Sequence, residues 1–148
     1  MQYYFAYGSN MDLAQMKERC PDAKLAGPAR LSGYALEFNI FSSKRKCGCA
    51  DIVQRQGSEV WGLLFEVTDA CIASLDKYEG VDGGHYRRIT AQVDSDGGKV
   101  SCCTYEVVSK TPGHLPSHDY LGKITTAAKQ YSFPKEYAKM LSGVQTCD

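Results

Sequence analysis

Between residues 36 and 108 the chain reads as a succession of strands joined by turns, with almost no helix between them. Leu36, Phe38 and Ile40 alternate with Glu37 and Asn39, the period of a half-buried strand. Strands are expected over 48–55 and 59–67, joined by a turn at Gln56-Gly57-Ser58, and a hairpin over 86–94 and 100–108 around Asp96-Gly97-Gly98. A doubly wound parallel sheet needs a helical crossover of a dozen or more residues between successive strands. Here the spacing leaves room for one short helix, so the pattern favours an α+β fold: a small mixed β-barrel of about six strands flanked by helices.

The remaining elements fit around that sheet. Residues 2–7, rich in Tyr and Phe, predict a buried first strand that breaks at Gly8-Ser9-Asn10. A helix is expected over 11–20, capped by Asn10 or Asp12 and stopped by Pro21, with Leu13, Met16 and Cys20 on its inner face. Thr68-Asp69 opens a helix over 70–78, with Gly80 just past its end. Residues 42–47, with Lys44-Arg45-Lys46, read as a solvated loop, and 109–117 as a second loop. Ser117 caps a helix over 118–131, and Pro134 begins a last one to 141.

With 148 residues, no repeat and no linker-like stretch, residues 1–148 are expected to form one domain. Lys+Arg and Asp+Glu number 17 each, so there is no global basic excess to hold a nucleic acid. No apolar run approaches the roughly 18 residues of a membrane span, and the first residues lack the basic leader of a signal peptide. Seven cysteines, odd in number and irregular in spacing, predict free thiols and a cytoplasmic location.

Four places carry residues suited to chemistry. Tyr7-Gly8-Ser9-Asn10 turns the chain from strand to helix, which aims successive N–H groups at one point, where a carboxylate, phosphate or oxyanion could sit. Asp76 and Glu79 stand at i and i+3 on one face of the short helix. Glu79 lies at its C-terminus, where the dipole disfavours a carboxylate, so a raised pKa suited to proton exchange near neutrality is expected. Tyr86 opens the strand beside Glu79, and Tyr120 lies near the start of a later helix.

Other constellations are weaker. Cys47-x-Cys49 with Cys102-Cys103 lacks zinc-knuckle spacing, so no metal or other cofactor is expected. Ser9 has no Gly-x-Ser-x-Gly context and no neighbouring His in sequence to make it a hydrolase nucleophile. No signature supports a Cys–His amidase.

Taken in order, the motifs are more specific than their parts. Phe5-Ala6-Tyr7-Gly8-Ser9-Asn10-Met11 is followed by Ala29-Arg30-Leu31-x-Gly33-Tyr34-x-Leu36-x-Phe38, then Val60-Trp61-Gly62-Leu63-Leu64-Phe65. Next comes Leu75-Asp76-x-x-Glu79-Gly80, with Tyr86 after a Gly turn. This resembles the γ-glutamylcyclotransferase family, including its AIG2-like relatives, over about residues 2–108, with a looser match near Tyr120. The resemblance implies a compact mixed barrel and conversion of a γ-glutamyl amide to 5-oxoproline. It implies that Tyr7, Gly8, Ser9 and Asn10 bind the γ-glutamyl unit, that Glu79 is the catalytic carboxyl, and that Tyr86 and Tyr120 line the pocket. The Ser9-Asn10 form of the loop looks like the γ-glutamyl-amino-acid branch, although antibiotic-pathway members share it. The partner expected is a small γ-glutamyl substrate, with neither nucleic acid nor membrane; a homodimer is compatible with the chain.

Overall fold

The computed structural model describes residues 2–148. Five strands close into a barrel in the order β1-β3-β2-β4-β5. They are β1 (Gln2–Ala6), β2 (Lys24–Ser42), β3 (Cys47–Val67), β4 (Tyr86–Ser95) and β5 (Gly98–Val107). The sheet is mixed: β1 runs antiparallel to β3, pairing Phe5 with Leu64, and parallel to β5 beside Cys103. Inserted between two neighbours, β1 buries Tyr4, Phe5 and Ala6 in succession, which explains its continuous apolar character.

Strand number is where expectation and structure differ. β2 begins at Lys24, and the turn expected at Gln56-Gly57-Ser58 does not reverse the chain. Instead β3 continues through it as a bulged corner. Ser32 pairs with Glu59 and Tyr34 with Gln54, so residues 55–58 bow out opposite Gly33 alone. Gly33 and Gly57 take φ of 81° and 83° there. The residues that signal a turn supply the local bend by which a long two-stranded ribbon wraps into a barrel.

Four helices flank the barrel: α1 (Leu13–Arg19), α2 (Asp69–Tyr78), α3 (His118–Gln130) and α4 (Lys135–Ser142). A 3₁₀ turn over Ser9–Met11 delays α1, and Asp12 caps it by accepting from the Ala14 N–H at 3.3 Å. Asn10 is free of capping and turns inward, with 4% of its surface exposed. Met16 and Cys20 face the core as expected, whereas Leu13 is exposed. Thr68 and Ser117 cap α2 and α3 through their hydroxyls. Lys123 on α3 pairs with Asp12 at 2.6 Å, which docks α3 against the start of α1. None of the described helices is long and apolar enough to cross a membrane.

Candidate active site

Segments distant in sequence meet at a cavity of about 340 Å³. All seven residues singled out from the sequence line it: Tyr7, Gly8, Ser9 and Asn10 from the turn after β1, Glu79 from the end of α2, Tyr86 from the start of β4, and Tyr120 from α3. Cys49 and Ala50 of β3 form part of the wall.

Glu79 is the C-cap of α2, its N–H bonded to the Leu75 carbonyl at 2.8 Å. Gly80 follows with φ of 64°, a left-handed conformation that glycine adopts without strain, and the chain turns away from the helix there. The Glu79 side chain is partly accessible, from the cavity side, and makes no hydrogen bond among the described residues. Burial of its carboxyl lifts the pKa from 4.5 to about 7, while the charges of Arg19 and Arg45 pull it the other way. A carboxyl so placed exchanges protons readily near neutral pH. Asp76, expected on the same face, serves elsewhere. It accepts from the Tyr105 hydroxyl at 2.6 Å and pairs with Arg88 at 2.6 Å, outside the cavity lining.

Opposite stands the turn after β1. The first N–H groups of a helical turn have no intrahelical acceptor, and Gly8, Ser9 and Asn10, which open the 3₁₀ turn, line the cavity. A Cβ on Gly8 would stand 3.3 Å from both the Ala50 Cβ and the Tyr120 hydroxyl, so the turn packs against β3 and α3 with no space for a side chain. Side chains brace it as well. Asn10 donates to the Tyr4 hydroxyl at 3.0 Å, and Gln15 donates to the Ser9 Oγ at 2.8 Å and the Asn10 Oδ1 at 2.9 Å.

The tyrosines hold the wall. Tyr86 donates to the Ala50 carbonyl at 2.7 Å, Tyr120 accepts from the Ala50 N–H at 2.9 Å, and Tyr7 donates to the Tyr105 carbonyl at 2.6 Å. Burial raises the pKa of all three phenols, so they act as neutral hydrogen-bonding groups.

Two arginines with no sequence signal stand near the site, Arg19 in the cavity lining and Arg45 against its residues Ser9 and Tyr120. Arg19, on the last turn of α1, donates to the Asn10 Oδ1 at 3.1 Å and stacks over the Tyr78 ring at 4.5 Å. Arg45 was expected in a solvated loop. Its neighbours Lys44 and Lys46 are exposed, Lys44 also bordering the cavity, whereas Arg45 is half-buried with its guanidinium 5.1 Å from the centre of the Tyr120 ring. A tight turn brings it there: the Arg45 N–H bonds to the Ser42 Oγ at 3.1 Å, the Lys46 N–H bonds to the Ser42 carbonyl at 2.7 Å, and Lys46 takes φ of 57°. Three adjacent cations carry no periodicity that would tell which one turns in.

The nucleophile readings find no support in this geometry. The Ser9 Oγ is approached by Gln15 and by Arg45 at 3.4 Å, and its recorded hydrogen-bond partners include no base. The Cys49 thiol is pushed up to about 12, burial being the main cause, which makes it a poor source of thiolate.

Comparison with known proteins agrees with the motifs. The AIG2-like family model matches residues 59–141. The γ-glutamylcyclotransferase of Mus musculus is 34% identical over 146 residues, spanning 96% of this chain and 78% of the mouse protein. That of Homo sapiens is 33% identical over 98% of this chain and 79% of its own length. A solved γ-glutamyl cyclotransferase structure superposes with a TM-score of 0.93 at 32% identity, covering 99% of this chain and 89% of that one. With sequence, fold and motif order in agreement, the chain belongs to the γ-glutamylcyclotransferase family of AIG2-like proteins.

Proposed function

We propose that the protein converts a γ-glutamyl amide, a γ-glutamyl amino acid or a close relative of one, to 5-oxoproline and the free amine. The observation that carries this reading is the Glu79 carboxyl, poised near neutrality and free of hydrogen bonds among the described residues, in one cavity with the Gly8–Asn10 turn.

The α-amino group of the substrate attacks its own γ-carbonyl carbon. A C–N bond forms, the five-membered ring closes, and a tetrahedral oxyanion appears. Collapse of that intermediate breaks the amide C–N bond and expels the amine. Both reacting groups belong to one molecule, so the cavity contributes mainly by selecting the folded conformer, which can supply several of the ~7–11 kcal/mol available from orientation.

Two proton transfers remain, and one carboxyl serves both. Ionised Glu79 takes a proton from the substrate ammonium, which frees the nitrogen lone pair. That proton passes to the leaving nitrogen as the amide C–N bond breaks. Ionised again, Glu79 takes the second proton that the attacking nitrogen sheds on becoming the lactam N–H and gives it to the expelled amine, which leaves as an ammonium, so Glu79 ends the cycle ionised. Such general acid–base help is worth roughly 10²–10⁴-fold. The N–H groups of Gly8, Ser9 and Asn10 hold the substrate carboxylate or the oxyanion. Tyr7, Tyr86 and Tyr120 shape the pocket around the γ-glutamyl unit.

This reaction belongs to the metabolism of γ-glutamyl compounds, glutathione metabolism included. The seven cysteines, none in a disulfide, fit a reducing compartment such as the cytoplasm. Incubation with γ-glutamyl dipeptides and detection of the product tests the assignment. Lactam release supports it. Free glutamate would point to a hydrolase using Ser9, and binding without product to a γ-glutamyl binding module.

A further inference from the structure

Six arginines occur in the chain, and among the described residues they fall into two groups. Arg30 pairs with Asp94 at 3.0 Å, Arg55 with Glu37 at 2.6 Å, Arg87 with Glu106 at 2.9 Å and Arg88 with Asp76 at 2.6 Å. Arg19 and Arg45 form no such pair among the described residues; Arg19 lines the cavity, and Arg45 stands beside it, against the lining residues Ser9 and Tyr120. Their hydrogen bonds among the described residues go to neutral oxygens: Arg19 to Asn10, and Arg45 to Gln15 at 2.9 Å and Ser9 at 3.4 Å. A guanidinium has five N–H donors in a planar fork, so most of those on Arg45 stay uncommitted.

The mounting of Arg45 suits a specific task. Its guanidinium rests over the Tyr120 ring, which steadies it, and the Gln15 amide ties it to Ser9 and Asn10. Gln15 thereby links the guanidinium to the turn that faces the γ-glutamyl unit. Glu79, an acid in the cavity lining, lies beyond ion-pair distance of Arg45. Lys44, which borders the cavity, has no ion pair among the described residues either, so the wall and its backing carry positive charge that the protein does not neutralise by contact. A carboxylate matches a guanidinium edge through two parallel hydrogen bonds, a geometry that a lysine cannot reproduce.

We propose that Arg45 is a recognition residue that docks a carboxylate of the substrate on the edge of its guanidinium. The inference rests on the cyclotransferase reading for the identity of that substrate. A γ-glutamyl amino acid offers two carboxylates, one on the glutamyl α-carbon and one on the leaving amino acid, and the experiment separates them.

Three substrates are compared: γ-glutamyl-alanine, its C-terminal amide, and its analogue with the glutamyl α-carboxylate converted to an amide. Lactam release is measured with wild-type and Arg45→Gln protein. Loss of a hydrogen bond to a charged group is worth about 1.5–3 kcal/mol, so the KM for γ-glutamyl-alanine rises roughly 10- to 150-fold in Arg45→Gln. The kcat changes by less than about threefold, and Arg45→Lys restores only part of the loss. At a pH above the acid limb of both proteins, wild type and Arg45→Gln have the same KM for the one analogue that lacks the docked carboxylate, and that analogue identifies which carboxylate is read. An equal rise for all three substrates, or no rise for any, overturns the proposal. Any effect of Arg45 on Glu79 falls on all three alike and cannot mimic the expected pattern.

The same three compounds are titrated calorimetrically against Glu79→Gln protein with and without Arg45→Gln. If wild type releases no lactam but the selective loss of affinity appears, the cyclotransferase reading fails and the role of Arg45 stands. Lactam release without that selectivity leaves the reading intact and removes Arg45 from the role. No binding and no turnover with any of the three overturns both.

Discussion

Tyr86 donates its phenolic hydrogen to the Ala50 carbonyl across 2.7 Å, which ties the first residue of β4 to the start of β3. Tyr120 holds the N–H of the same residue, so two side chains from separate elements fix one peptide segment of the cavity wall. Tyr86→Phe and Tyr120→Phe each leave a backbone group of Ala50 without that partner, at a cost of about 1–3 kcal/mol. Both variants are expected to raise KM by more than they lower kcat. Steady-state kinetics of lactam release checks this, and abolished turnover with unchanged affinity would assign the affected tyrosine to the chemistry instead.

Glu79 must begin the cycle ionised, and its carboxyl is lifted to about 7. The kcat/KM should therefore rise with pH through an acid limb near 7. Arg45 holds that value down, so Arg45→Gln moves the limb to higher pH. A pH–rate profile for each protein measures both, and a limb near the ordinary carboxylate value would contradict the burial of Glu79.

The same displacement links Glu79 to stability. In the fold it stays protonated to higher pH than in the unfolded chain, so between about pH 4.5 and 7 the native state binds more protons. Stability is lost as pH rises through that window, because the carboxyl must ionise where it is poorly solvated. Glu79→Gln has no such penalty. Its Tm should match wild type below about pH 4.5, pull ahead through the window and hold a constant lead above 7. Equal melting curves at pH 8 would contradict this.

Asp51, next to Ala50, is fully buried and accepts from the Val107 N–H, the Asn39 amide and Lys110, each at 2.8 Å. It ties β3 to β5 and to the segment that follows. Removing one partner of a buried ion pair costs about 3–5 kcal/mol, and Asp51→Ala is expected to lose that much in urea unfolding. A loss below about 1 kcal/mol would mean that water replaces the carboxylate.

How much of this the residues announce depends on whether a feature is local. The Tyr7–Asn10 break, the Thr68 and Ser117 caps and the left-handed Gly80 depend on neighbours in sequence, and each appears where the chain chemistry places it. Ordered motifs then tie the Gly8 turn to Glu79, Tyr86 and Tyr120, which the fold gathers at one cavity. Gly57 shows the limit of local signals. A glycine between two strand-like runs marks a bend, but whether the chain reverses or only kinks depends on β2, which stays paired on both sides of it. Arg45 and Arg19 lie further out of reach. Their place at the site depends on a turn packing against α3 and a helix packing against α2, and neither contact leaves a trace in residue spacing. Leu13 shares the period of buried Met16 and Cys20 yet is exposed, at the first residue of α1.

The central claim is that one poorly solvated carboxyl, Glu79 in the cavity, moves the protons of an intramolecular ring closure. Its most direct test is lactam release from a γ-glutamyl dipeptide by wild type and by Glu79→Gln, with folding of the variant checked by its melting curve. Wild type is expected to yield 5-oxoproline and free amine in equal amounts, and Glu79→Gln to lose roughly 10²–10⁴-fold in rate while remaining folded. A folded Glu79→Gln protein that makes 5-oxoproline at near wild-type rate, or a wild type that makes free glutamate, would contradict the account.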